Sequence, residues 1–303
     1  MNRRRFIAQG ISGTLGLNLL GPSAVALNLG ASDLTILHTN DMHSRIDPFP
    51  SESGKYAGLG GMARRAQLIK QIRQQTNQVL LLDAGDIFQG TPYFNLFGGE
   101  LEFKLMSEME YDGATLGNHD FDNGIEGLLE QLPNAKFPFV SSNYDFSKTD
   151  LKDQFSPYKI YQKGAIKVGV FGLGIELEGL VESKLYKNTV YVDPVGVANE
   201  MVQQLKSEAC NLIICLSHLG YKYQSQKISD VKLAETISGI DLIIGGHTHT
   251  FLNEPTTVDH LDGHRTIINQ VGFGGIHLGR IDYTRTAGSG KLSSRSKTVT
   301  VDN

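Results

Sequence analysis

Five apolar stretches of this chain each run directly into residues of the types that bind metal ions. Each stretch is short and mostly apolar, as expected of a buried β-strand. The stretches and the blocks that follow them are Leu34–Thr39 with NDMH, Val79–Leu82 with DAGD, Ala114–Leu116 with GNHD, Leu212–Leu216 with SH, and Leu242–Ile244 with GGHTH. Ligands of α/β proteins bind at the carboxyl ends of strands, so these polar side chains would converge if the strands share a layer.

The spacing within two of these blocks supports a shared site. Asp41 and His43 are two residues apart, and so are His247 and His249. In an extended chain, side chains at this spacing project to the same side. The glycines that adjoin the blocks allow sharp, closely packed turns. A single histidine after a strand is more often structural than a ligand, but five such blocks in one chain are hard to explain by turn chemistry alone.

Helix and strand candidates alternate along the rest of the chain, which predicts one α/β domain with mixed sheets. Met62–Gln75 has apolar residues at helical spacing, and Pro194–Glu208 begins with a proline that favours a helix start. The other predicted elements are helices at Leu101–Met109, Ile125–Leu132 and Val231–Ile237 and strands at Phe139–Ser141, Lys159–Tyr161 and Ile166–Phe171. From Arg265 to Val301, β-branched and aromatic runs separated by glycine predict antiparallel strands.

The net charge of the 303-residue chain argues against a nucleic-acid polymer as its ligand. The formal net charge is −4, whereas proteins that bind nucleic acid usually carry a basic stripe. An anionic substrate must therefore be held locally, by bound cations or by a few placed donors.

The N-terminus has the pattern of a twin-arginine export signal. The letters RRRFI precede a weakly hydrophobic stretch, and AVA, which ends at Ala26, has small residues at the spacing that signal peptidase reads. We expect residues 1–26 to be a signal peptide and residues 27–303 to act in the periplasm or outside the cell. The alternative is a retained membrane anchor. Because the glycines, polar residues and Pro22 of this segment make it a poor spanning helix, we expect no stable membrane insertion.

Several of these blocks together resemble a known family. In chain order, HTNDMH, DAGDIFQGTP, GNHDFDNG, SHLGY and GGHTHT are similar to the signature blocks of the 5′-nucleotidase branch of the calcineurin-like metallophosphatases. The resemblance runs from about Leu34 to about Tyr283. It implies a four-layer α/β/β/α sandwich with two mixed sheets. Two-domain members of this branch carry a C-terminal domain that largely sets substrate choice, and we expect this chain to be the catalytic domain without it.

Motif positions in the resemblance imply seven ligands for two divalent cations, with Zn²⁺, Mn²⁺, Fe and Co²⁺ as candidates. One cation would be bound by Asp41, His43, Asp86 and His249. The other would be bound by Asp86, Asn118, His218 and His247, so that Asp86 bridges the pair. The cations would lower the pKa of a bridging water, and the resulting hydroxide would attack phosphorus in line.

His119 and Asp122 are candidate catalytic residues that are not ligands. His119 follows Asn118 directly, so it cannot easily reach the same metal. The resemblance implies that its imidazole faces the substrate phosphate and stabilises charge or assists the leaving oxygen. Asp122 would orient the imidazole, or it caps the helix that starts near Ile125. His38 lies inside the first predicted strand, where we expect a buried structural or supporting role.

These features predict an exported phosphomonoesterase that acts on small phosphorylated substrates such as nucleoside 5′-phosphates. The close alternative is a phosphodiesterase or pyrophosphatase that acts on 2′,3′-cyclic nucleotides or nucleotide sugars. More distant alternatives are sulfur-ester hydrolysis and a binding role without catalysis. A separate chain that supplies the specificity domain is a further hypothesis.

Overall fold

A computed structural model describes residues 33–286 and 288–302. The predicted export signal lies outside these ranges. The helices are α1 (Met62–Gln75), α2 (Pro92–Phe97), α3 (Glu100–Glu108), α4 (Gly124–Gln131), α5 (Ser183–Tyr186), α6 (Pro194–Ser207) and α7 (Asp230–Thr236). The strands are β1 (Leu34–Thr39), β2 (Val79–Asp83), β3 (Gly113–Ala114), β4 (Tyr144–Asp145), β5 (Tyr158–Lys163), β6 (Ile166–Leu173), β7 (Val190–Tyr191), β8 (Leu212–Ser217), β9 (Leu242–Gly245), β10 (Thr256–Asp259), β11 (Arg265–Asn269), β12 (His277–Arg285) and β13 (Leu292–Thr300).

Two mixed sheets form the centre of the domain. The first has the strand order β13-β12-β1-β2-β3, and the second has the order β10-β11-β9-β8-β6-β5. In the first sheet β1, β2 and β3 run parallel, and in the second β6, β8, β9 and β11 run parallel. Because parallel strands end at the same edge of their sheet, the loops that follow these strands are neighbours.

Alternation along the strands shows how the layers are stacked. Leu80 in β2 and Ile214 in β8 belong to one apolar core between the two sheets. Their neighbours point the other way: Leu81 packs with residues of α1, α3 and α4, and Ile213 packs with residues of α6 and α7. Since side chains alternate between the faces of a strand, each sheet is covered by helices on its outer face. The predicted four-layer sandwich is confirmed.

Three predicted elements differ from the structure. The strand predicted at Ala114–Leu116 is shorter and ends at Ala114, because the chain turns away toward Asn118. The strand predicted at Phe139–Ser141 consists of isolated bridges to Ala114 and Ser156. The tail is only partly antiparallel: β11 pairs in parallel with β9, whereas β12 and β13 complete the first sheet beside β1. Local sequence indicates that a strand forms, but its partner is chosen by long-range packing.

Within the described ranges, none of the helices combines the length and the apolar character that a membrane span requires.

Candidate metal centre

The seven predicted ligands meet in the loops that follow five strands of the two sheets. Six of them form two groups, and the candidate ligand atoms of each group lie within 4.8 Å of one another. The groups are Asp41 with His43 and His249, and Asp86 with His218 and His247. The seventh, Asn118, joins the second group, since its Oδ1 lies 2.8 Å from Nδ1 of His247. The structure brings together the predicted residues, and their binding of metal stays a prediction.

Asp86 connects the two groups. Its Oδ2 lies 3.0 Å from Nε2 of His218 in the second group and 3.9 Å from Nε2 of His43 in the first. Its Oδ1 accepts the backbone N–H of His119 at 2.8 Å. The side chain is almost fully buried, so this orientation is held by its surroundings. A carboxylate in this position is suited to bridge two cations and offset their mutual repulsion.

Five of the seven predicted ligands have a left-handed backbone conformation. Positive φ angles occur at Asp41 (50°), His43 (48°), Asp86 (56°), His247 (69°) and His249 (52°). Such angles are uncommon in residues other than glycine, and they concentrate at functional sites. The expectation that the two i, i+2 pairs lie on extended chain is therefore wrong. Because β1 and β9 end before these pairs, left-handed turns rather than strand alternation orient their side chains. Asp41 and His43 fall in the same group, whereas His247 and His249 fall in different groups.

Direct contacts between loops hold the two groups in register. The backbone N–H of Asp41 donates to the carbonyl of Gly85 at 2.9 Å, and that of His43 donates to the carbonyl of Asp86 at 3.0 Å. Gly117 packs so closely that a Cβ atom there would collide with Oδ1 of Asp86. The predicted role of the adjoining glycines, to allow close-packed turns, is confirmed at this position.

Asp120 supports the site but was not singled out from the sequence. Its buried carboxylate accepts four backbone N–H groups, from Asp86 (3.0 Å), Ile87 (2.9 Å), Phe88 (3.2 Å) and Gly117 (2.8 Å). It therefore ties the Asp86 loop to the loop that carries Asn118. The available signal is its place in the GNHD block, but an acidic residue in a turn has the same appearance in sequence.

Asn40 is a second supporting residue that the sequence reasoning missed. Its Nδ2 donates to Oδ2 of Asp41 at 2.5 Å and to the carbonyl of Gly272 at 2.7 Å. Its Oδ1 accepts the N–H of Val271 at 3.0 Å. Asn40 thereby joins a ligand of the first group to the loop after β11. Its position directly before Asp41 was the only local signal.

The carboxylates around His218 favour positive charge on its imidazole. Burial by itself would lower the pKa of this imidazole, but the carboxylates of Asp86 and Asp41 raise it to about 10. Nδ1 donates to the backbone carbonyl of Ala84 at 2.7 Å, which leaves Nε2 facing Asp86. A buried position that favours positive charge so strongly, lined by carboxylate and imidazole groups, fits the donor set of a divalent cation site.

Two other predicted ligands stay neutral near pH 7. Burial lowers the pKa of His43. The pKa of His247 is lowered to about 4, mainly by burial and then by the charge of His218. The charge of Lys227 makes a smaller contribution in the same direction. Neutral imidazole is the form that binds metal ions. These histidines therefore need not lose a proton before they act as ligands.

His119 and Asp122 form a hydrogen-bonded pair beside the seven ligands. Nδ1 of His119 lies 2.8 Å from Oδ2 of Asp122, and its ring centroid lies 5.2 Å from that of His43. The hydrogen bond that His119 donates to Asp122 outweighs burial and raises the pKa of His119. The imidazole is 36% exposed, so a substrate can reach it. The capping alternative for Asp122 is not observed, since Asn123 precedes α4 without a side-chain cap.

His38 has the buried position that was expected of it. It is fully buried in β1, and its Nε2 lies 3.0 Å from Nδ2 of Asn269. Burial lowers its pKa to about 3, so the folded protein holds it neutral.

Comparison with known proteins agrees with this geometry. Residues 34–251 match the family described as calcineurin-like phosphoesterase. The 5′-nucleotidase of Homo sapiens is 40% identical over 232 residues, which are 74% of this chain and 39% of that protein. The snake venom 5′-nucleotidase of Crotalus adamanteus is 36% identical over 280 residues, 86% of this chain and 46% of that protein. The crystal structure of the 5′-nucleotidase precursor from Thermus thermophilus matches with a TM-score of 0.80 at 33% identity, covering 88% of this chain and 54% of that one.

These similarities concern one part of longer proteins. The chain spans less than half of the length of the two curated relatives. The family match nevertheless extends from Leu34, where β1 begins, to Phe251, just beyond the last predicted ligand, His249. It covers well over half of the chain and includes all seven predicted ligands. The chain therefore belongs to the calcineurin-like phosphoesterase family.

Proposed function

We propose that this chain is an exported, metal-dependent hydrolase of phosphate monoesters, with nucleoside 5′-phosphates as its substrate class. The observation that carries the proposal is the position of Asp86, whose Oδ2 faces His218 of one ligand group and His43 of the other. The 5′-nucleotidases among the relatives support the choice of substrate. One shared carboxylate between two groups of ligands is the arrangement used by enzymes that clamp a phosphoryl group between two cations.

Each group of ligands would hold one divalent cation in this proposal. The first would be held by Asp41, His43, Asp86 and His249, and the second by Asp86, Asn118, His218 and His247. When bound, the two cations supply positive charge that activates a water molecule and withdraws electrons from the phosphoryl group. The mixture of carboxylate, amide and imidazole ligands suits Zn²⁺, Mn²⁺, Fe or Co²⁺.

His119 acts on the leaving group in this proposal. Because Nδ1 donates a hydrogen bond to Asp122, Nε2 is the ring nitrogen that is available to a substrate. As the bond between phosphorus and the ester oxygen breaks, Nε2 gives its proton to that oxygen, which leaves as an alcohol. Asp122 keeps the ring oriented and stabilises its charge. The phosphoryl group takes its new oxygen from water, so inorganic phosphate is the second product.

The proposal is tested by metal content and phosphate release in three purified proteins: the wild type, His119→Ala and Asp86→Ala. The wild type should release phosphate from adenosine 5′-phosphate only when metal is present. His119→Ala should keep its metal while turnover falls about 10²- to 10⁴-fold, the usual contribution of a general acid. Asp86→Ala should lose both cations.

Two results would contradict these assignments. A wild-type protein that contains metal but releases phosphate from no monoester would overturn the monoesterase proposal. A parallel panel of diesters and nucleotide sugars would then test the phosphodiesterase alternative. If His119→Ala instead lost its metal and kept its rate per bound metal, His119 would be a ligand rather than an acid.

Export through the twin-arginine route is a separate part of the proposal, supported by the RRRFI and AVA patterns near the N-terminus. In a bacterial host, the full chain should accumulate in the periplasm in folded form. Replacement of Arg3, Arg4 and Arg5 by lysine should keep it in the cytoplasm at its unprocessed mass. Equal export of this variant would refute the twin-arginine assignment without affecting the proposed chemistry.

A further inference from the structure

The loop between β8 and α7 lies against the second ligand group and carries an exposed lysine. The backbone N–H of Tyr221 donates to Oγ1 of Thr248 at 2.9 Å, and Thr248 stands between the predicted ligands His247 and His249. The loop starts directly after β8, with the predicted ligand His218 as its first residue. The first part of the loop is therefore attached to the candidate metal centre at two points.

Within this loop, the ring of Tyr223 supports the ammonium group of Lys227. The hydroxyl of Tyr223 donates to the carbonyl of Leu219 at 2.8 Å and sits so close to Gly220 that a Cβ atom there would collide with it. Nζ of Lys227 lies 5.0 Å from the centre of this ring, within the range of a cation–π contact. Lys227 is exposed. Thr248, between the predicted ligands His247 and His249, packs against Gly220 as Tyr223 does, so the ring that contacts Lys227 lies near the second ligand group.

If the proposed function holds, the charges of the cations, their ligands and the substrate indicate what this ammonium group contributes. Two divalent cations bring four positive charges, of which Asp41 and Asp86 cancel two and a water that has lost its proton cancels a third. A phosphate diester, with one negative charge, then leaves the site neutral. A phosphate monoester, with two, leaves one negative charge in excess. One further cation beside the site would balance the monoester and favour it.

We infer that Lys227 is a specificity-determining residue that pairs with the second negative charge of a phosphate monoester and so makes the site prefer monoesters to diesters. The contact is electrostatic, and its strength is proportional to the charge on the ligand. Loss of the ammonium group should therefore weaken the binding of a dianion by the square of the factor by which it weakens the binding of a monoanion.

The test compares Lys227→Met, which keeps most of the apolar stem but removes the charge, with Lys227→Arg, which keeps the charge. Lys222→Met is the matched control, because Lys222 is an exposed lysine of the same loop. Kinetics with p-nitrophenyl phosphate and bis(p-nitrophenyl) phosphate report on monoester and diester turnover. Calorimetry with inorganic phosphate at about pH 8.5 and with dimethyl phosphate reports on binding of a dianion and a monoanion to the metal-loaded protein without turnover.

For Lys227→Met we expect kcat/KM for the monoester to fall about tenfold and that for the diester to fall about threefold, with the same factors in the two dissociation constants. Higher salt should shrink both losses. Lys227→Arg and Lys222→Met should stay within about twofold of the wild type.

Equal losses for both charge types would indicate a structural role and overturn the inference, and so would no loss in either. If the wild type released no phosphate, the proposed function would fail, but calorimetry would still decide whether Lys227 discriminates between the two anions.

Discussion

Replacement of Asp120 by asparagine tests how the supporting network holds the candidate metal centre. In the wild type, Oδ1 accepts the N–H groups of Ile87 and Phe88, and Oδ2 accepts those of Asp86 and Gly117. An asparagine keeps one acceptor oxygen and presents an NH₂ group to the other pair of donors. Two buried N–H groups then lose their acceptor, at about 1–3 kcal/mol each. Asparagine also removes a buried charge: burial and the charge of Asp86 raise the pKa of Asp120 to about 7, so ionisation in the folded protein costs about 4 kcal/mol above that pH. We therefore expect the free energy of unfolding of the wild type to fall by about 4 kcal/mol relative to that of Asp120→Asn as pH rises from about 4 to above 7, a large part of the ~5–15 kcal/mol of a typical domain.

The assay is urea unfolding of metal-free protein, followed by circular dichroism at several pH values from about 4 to about 8.5. The upper limit lies above the pKa of about 7 that Asp120 has in the folded protein, so the carboxylate is ionised there, and the lower limit lies near the pKa of an aspartate in the unfolded chain. Asp122→Asn is the matched control two residues away. Asp122 is partly exposed and makes one hydrogen bond to His119, so its replacement should cost less than about 1 kcal/mol. If the difference between Asp120→Asn and the wild type stayed constant to within about 0.5 kcal/mol over this pH range, the carboxylate would not be buried among the four N–H groups as described.

Three further predictions concern pH, packing and metal. In metal-free protein, His38 should contribute a loss of up to about 5 kcal/mol of unfolding free energy as pH falls from 6.5 toward 3, because the unfolded residue binds a proton that the folded residue, with a pKa of about 3, does not. The difference between unfolding titrations of the wild type and of His38→Gln should show this loss, and parallel titrations would contradict it. Gly117→Ala should reduce bound metal measured by elemental analysis, since its Cβ would displace the carboxylate of Asp86; unchanged metal content would contradict the described packing. Removal of metal by a chelator should lower the free energy of unfolding, measured by thermal unfolding. The expected decrease is about 2.7 kcal/mol for each cation that was present at about a hundredfold excess over its dissociation constant. An unchanged unfolding curve would argue against bound metal.

Local pattern was sufficient to predict most elements of this fold. The helix predicted at Met62–Gln75 has the observed bounds, and the strands that precede four of the five ligand blocks are correct to within one residue. These elements are readable because periodic apolar residues commit a segment to one face. The blocks DAGD and GNHD likewise identify residues that the structure places together, because metal ligands need particular side-chain types.

Other features depended on the tertiary structure. The parallel pairing of β11 with β9, the left-handed turns at Asp41 and His247, and the four N–H groups around Asp120 involve partners that are far apart along the chain. The placement of Tyr223, which contacts Lys227, near the second ligand group belongs to the same class, since it depends on how its loop attaches to Thr248. The sequence by itself determined which segments form strands and helices and which side chains are able to bind a cation. Only the packed structure decided which backbone groups aim and support those side chains, because hydrogen bonds and charge contacts between distant loops exist only after the two sheets have stacked.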